Sequence, residues 1–111
     1  MSATLIYTVD GNLGRRLEVY DDRCVILRDG GRAEFLFEEI SVIKFRNLSF
    51  FMSGYIKLES RAAGNAGLRS GENCFVFSAP PGPLQDTLIA QMPAVFDFIA
   101  ARAVNARAVE Y

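Results

Sequence analysis

From Thr4 to Ser78 the apolar residues come in short runs that alternate with polar ones, and from Leu84 onward their spacing changes to three or four. Alternation puts every second side chain on one face of a strand, whereas the longer period draws a stripe along a helix. The chain is therefore restricted to a mainly β (α+β) fold, with strands over about residues 4–78 and a helical region over about 84–107. With 111 residues it is read as one domain over 1–111.

The strand runs are separated by turn chemistry. TLIYTV ends at Asp10-Gly11-Asn12, and RLEVY puts Leu17 and Val19 on one face. CVILR and the run Glu34 to Phe37 flank Asp29-Gly30-Gly31, which predicts a tight hairpin at Asp29 to Arg32 because such residues accept positive φ. In the next runs Phe35 and Phe37 share a face, as do Ile43 and Phe45; Ile56 and Leu58 point in, while Tyr55, Lys57 and Glu59 point out. NCFVFS is the last strand, and the Gly- and Ala-rich stretch Arg61 to Glu72 before it reads as a mobile hairpin loop.

Leu84, Leu88, Met92, Val95, Phe96, Ile99 and Ala103 form the helical stripe. Proline inside a helix removes a hydrogen bond and clashes with the preceding turn, at a cost of about 3 kcal/mol. Pro93 therefore predicts a break near Met92, with a short helix over Leu84 to Ala90, a main helix from Pro93 to about Ala106 and a frayed tail at Val109 to Tyr111.

Chemistry is scarce. The chain has no histidine, which removes the usual general base of hydrolases and the commonest metal ligand, so neither an enzyme, a metal site nor a cofactor is expected. Cys24 and Cys74 sit in apolar strand-like runs and read as buried free thiols. Glu38 with Glu39, and Asp21 with Asp22, are adjacent in sequence; in extended chain they diverge and read as surface charge. The glycines make no phosphate-binding loop entering a helix. A net charge of −1 offers no whole-molecule attraction to nucleic acid. No stretch of about 18 apolar residues occurs and the first residues lack a signal-peptide pattern, so a cytoplasmic location is expected.

Seven strands followed by one C-terminal helix is the element order of the pleckstrin homology (PH) superfold. The segments GRRLEVYDDRCVILR, FEEISVIKFR, SGYIKLES, NCFVFS and PAVFDFIAARA resemble the small bacterial PH-like domains, many of unknown function. The resemblance implies a bent seven-stranded antiparallel sheet or barrel capped by the helix, and a tendency toward binding or self-assembly. It implies no reaction. PH domains that bind phosphoinositides do so with basic residues around the loop between the first two strands, where Arg15 and Arg16 stand here. The dense basic pattern is missing from the second strand, which runs through Glu18 to Asp21 and Asp22.

One stretch is chemically conspicuous: FRNLSFFMSGYIKLES places Leu48, Phe50, Phe51 and Met52 where a connection between two strands is expected. Contiguous exposed apolar surface marks an interface, and aromatics and Met are enriched in interfaces. The competing structural reading folds the cluster back to close the core, with Phe50 capping the barrel end. The expected function is thus a binding or assembly module, a homo-oligomer or a partner of another protein through Leu48, Phe50, Phe51 and Met52 or through a sheet edge. The first alternative is a peripheral membrane or phospholipid-binding module, with the apolar wedge inserted and Arg15, Arg16, Lys44 and Arg46 on headgroups. The second is a small-molecule carrier with a cavity between helix and sheet.

Overall fold

The computed structural model describes residues 4–28, 30–60 and 73–111. Among the described residues, eight strands form two four-stranded sheets. The first is the antiparallel meander β1 (Leu5–Asp10), β2 (Arg16–Tyr20), β3 (Arg23–Arg28) and β4 (Gly31–Leu36). The second contains β5 (Ile40–Arg46), β6 (Gly54–Ser60), β7 (Cys74–Phe77) and β8 (Arg107–Glu110), in the spatial order β7-β6-β5-β8. One helix, α1, runs from Pro83 to Arg102.

The period-two residues face the core as expected. Leu17, Val19, Phe35, Ile43, Phe45, Ile56, Leu58, Phe75 and Phe77 are all buried. At the β3–β4 hairpin Arg28 pairs with Gly31, and Gly30 takes a φ of +75°, a conformation that costs glycine least; Asp29 lies outside the described residues. So does the segment 61–72, expected as a mobile loop. Phe37 is not the end of a strand: β4 stops at Leu36, and Phe37–Glu39 forms a 3-10 turn that leads directly into the second sheet.

The helix departs from the expected break. Pro93 lies inside one continuous 20-residue helix, flanked by the buried Met92 and Val95. Without an N–H at Pro93, the carbonyl of Ile89 four residues earlier loses its helical donor. Asn47, in the β5–β6 connection, supplies the replacement: its Nδ2 donates to the Ile89 oxygen at 3.0 Å. The lost bond is made good from outside the helix, which removes part of the penalty that otherwise predicts a break. Leu84 is the other departure from the predicted stripe, since it lies in the first helical turn and is exposed, while Gln85 takes the inward position and donates to the Ala79 carbonyl at 3.2 Å.

This single helix serves both sheets. Phe96 stacks on Phe45 of β5 with ring centroids 4.8 Å apart, and Phe98 meets Tyr7 of β1 edge-on at 5.6 Å and Phe37 at 6.4 Å. Aromatic pairs in these geometries add about 0.5–1.5 kcal/mol beyond the burial of their area.

The expected frayed tail is a strand. β8 pairs in parallel with β5, in the register Val42 with Arg107 to Phe45 with Glu110, and the Tyr111 N–H donates to the Phe45 carbonyl at 2.8 Å. It supplies partners for a β5 edge that would otherwise be unpaired. Eight strands in two sheets therefore replace the expected seven-stranded sheet, and the described strands do not close into one barrel. Among the described residues no helix is long and apolar enough to cross a membrane.

The exchange of donors at Ile89 predicts a coupled pair. Asn47→Ala should cost about 1–3 kcal/mol in urea unfolding, the usual cost of a carbonyl left unsatisfied. In a Pro93→Ala background, where the helix supplies its own N–H, the same change should cost clearly less. Equal costs in both backgrounds would exclude the compensation.

Candidate functional site

The β5–β6 connection is built by polar contacts and displays apolar groups. Arg46, the last residue of β5, donates from Nη2 and Nε to the Ser53 carbonyl at 2.8 and 3.2 Å, closing the connection across its base. Its guanidinium also lies 4.9 Å from the centroid of the Tyr55 ring, a cation–π contact. Asn47 Oδ1 accepts from the Leu48 N–H at 2.8 Å while its Nδ2 reaches the helix. Above this base the Ser49 N–H donates to the Met52 carbonyl at 2.9 Å, and the Met52 N–H to Ser49 Oγ at 3.2 Å. Phe50 and Phe51 are left at the apex.

The apolar cluster is thereby divided. Leu48, expected with the exposed patch, is a core residue at 5% exposure, because the Asn47 anchor turns it inward. Phe50, Phe51 and Met52 are exposed at 67%, 89% and 50%. Phe50 does not cap the core; it meets Phe51 edge-on with centroids 4.9 Å apart. A hollow of about 160 Å³ separates this tip from Ser78, Ala79, Pro81 and Gln85 near the start of α1. Behind the tip, Gly54 is buried where a Cβ would strike the Phe77 ring and would stand 2.6 Å from the Leu48 nitrogen.

The four candidate cations are not one cluster. Arg16 pairs with Asp10 at 3.0 Å at the end of the first sheet. Arg46 holds the tip, and Lys44, on the outer face of β5, pairs with Glu59 at 3.5 Å. Arg15 lines a hollow with Asp10, Arg16 and Leu27. Burial pushes the Cys74 thiol up, and the positive charges of Lys57, Arg15 and Arg46 oppose that rise. Lys57 belongs to this set although sequence reasoning singles it out only as outward-facing; its signal is the cross-strand register, which sets it opposite both Lys44 and Cys74. Cys24 is fully buried, its thiol raised by desolvation, and both cysteines are free.

A second surface lies at the far end of the helix. Leu36, Phe37 and Val104 line a hollow of about 380 Å³ together with Asp21, Asp22, Glu38 and Arg102. The Asp22 carboxyl is held below the usual carboxylate range by its hydrogen bonds with Arg23, at 2.9 and 3.0 Å. Among the described residues no group of three or more His, Cys, Asp or Glu is arranged to hold a metal. Comparison with known protein families, with curated proteins and with solved structures finds no match.

The close approach behind the tip predicts that Gly54→Ala destabilises the protein by about 1–3 kcal/mol in urea unfolding, the cost of overpacking a filled core. A change under about 0.5 kcal/mol, the range of neutral surface substitutions, would mean that the contact behind the tip yields freely.

Proposed function

We propose that this chain is a PH-like, non-enzymatic binding and assembly module of the cytoplasm that associates with copies of itself through Phe50, Phe51 and Met52. The observation that carries the reading is an apolar apex mounted on polar supports. Two phenylalanines and a methionine stand in solvent, while Arg46, Asn47 and Ser49 fix the backbone beneath them. A fixed apex loses little further entropy when it is covered, which favours association. The PH-like reading is supported by the order of a four-stranded meander, three antiparallel strands and a helix. The parallel β8 and the absence of closure among the described strands are departures from that pattern.

A second reading, a peripheral module for anionic membrane surfaces, is favoured by one observation: Lys44 and Lys57 stand opposite each other on β5 and β6, and Arg46 closes the connection that bears the tip. There the aromatics would enter the leaflet and the cations would meet phosphates.

Light scattering coupled to size exclusion, run at two concentrations, separates the readings. The wild type should elute at a multiple of its 12.3 kDa chain mass. Phe51→Ser with Met52→Ser should keep the fold, because both side chains are exposed, and lower that mass toward one chain. A wild-type monomer at both concentrations refutes self-association; co-sedimentation with anionic vesicles that falls with salt would then favour the membrane reading.

A further inference from the structure

The tip and the acidic hollow lie at opposite ends of α1. The tip borders Gln85 in the first turn, and the hollow includes Arg102 in the last. At 1.5 Å per residue, about 25 Å of helix separates them, in a molecule whose longest dimension is 39 Å. No chain can therefore fill its own hollow with its own tip.

The two surfaces are complementary. Arg46 closes the base of the tip on the Ser53 carbonyl, whereas the hollow is lined by three carboxylates, of which Asp22 is paired with Arg23, leaving Asp21 and Glu38 against the single guanidinium of Arg102. That guanidinium is already placed over the Phe98 ring at 5.0 Å. Among the described residues Glu38 is exposed and makes no ion pair. The apolar lining is complementary too: Val104 stands 78% exposed beside Leu36 and Phe37, and the volume of about 380 Å³ accommodates aromatic rings. Tip-to-tip pairing, in contrast, would set the Arg46 of one copy against the Arg46 of another. Such like-charge juxtaposition is unfavourable and selects against that partner.

Resting on the self-association proposed above, we infer that the occupant of the hollow at Leu36, Phe37 and Val104 is the Phe50–Phe51–Met52 tip of a second copy, so that chains join head to tail. Two phenylalanines and a methionine bury less than the roughly 800 Å² per partner of a standard interface. The charged rims are therefore part of the contact, and assembly weakens as salt screens them. A head-to-tail contact closes into a ring or continues as a filament, according to the rotation between neighbours.

Mixing variants tests the direction of the contact. Phe51→Ser removes a tip, and Val104→Lys spoils a hollow at an exposed position. Each variant alone should be monomeric by light scattering. Their equimolar mixture should give a heterodimer and nothing larger, because one intact tip and one intact hollow remain. Glu38→Arg, also at an exposed position, serves as a second hollow variant and should behave like Val104→Lys. If the wild type assembles but the hollow variants assemble equally well, or the mixture stays monomeric, the head-to-tail inference falls and the assembly reading survives. A monomeric wild type overturns both.

Discussion

The Ile89 carbonyl, deprived of its helical donor by Pro93, accepts a hydrogen bond from Asn47, and this contact fixes how the β5–β6 connection meets the helix. The helix in turn holds the two sheets together, with Phe96 against β5 and Phe98 against Tyr7 and Phe37. The same Asn47 amide accepts from Leu48, so the residue that repairs the helix also directs the first apolar group of the connection into the core. Residues 49–52 have no such anchor into the core. Ser49 and Met52 close a small turn on themselves, and the two phenylalanines between them are presented to solvent.

Much of this architecture is legible in the sequence because it rests on local rules. Period-two runs identify the inward faces of β2 and of β4 to β7, whereas β3 buries Cys24, Val25 and Ile26 in succession, and the Gly30 turn identifies a hairpin. Leu88, Met92, Val95, Phe96, Ile99 and Ala103 identify the buried stripe of the helix. The departures come from contacts distant in sequence. The penalty for Pro93 is stated for a helix in isolation, and its compensating donor lies 42 residues away along the chain. Leu48 and Phe50 belong to the same residue class and stand two positions apart, yet one is buried and the other exposed; only the tertiary position of Asn47 distinguishes them. β8 is four residues long and its side chains face largely outward, so its signal is the open edge of β5 rather than its own pattern.

The candidate site is partly legible for the same reason. Aromatic residues at a turn are conspicuous in any sequence, but the cations near them are sorted by pairing. Arg16 is drawn to Asp10 and Lys44 to Glu59, while Lys57 is set opposite Lys44 and Cys74 only through strand register. The result is a molecule of net charge −1 with unlike ends: an apolar apex closed at its base by Arg46, and an apolar hollow lined by Asp21, Asp22 and Glu38 with Arg102. A near-neutral total conceals this polarity, which favours ordered contact between unlike surfaces over nonspecific attraction.

If the apex is solvent-exposed in the isolated chain and covered on assembly, the methionines should report it. Met52 is 50% exposed and Met92 is fully buried. Mild peroxide oxidation of the wild type, read by peptide mass spectrometry across a dilution series, compares the two side chains in one sample. Met52 should oxidise rapidly in dilute protein and become protected as concentration rises, while Met92 stays slow throughout. A Met52 rate that is the same at every concentration, or as slow as that of Met92 even at high dilution, would contradict a covered apex.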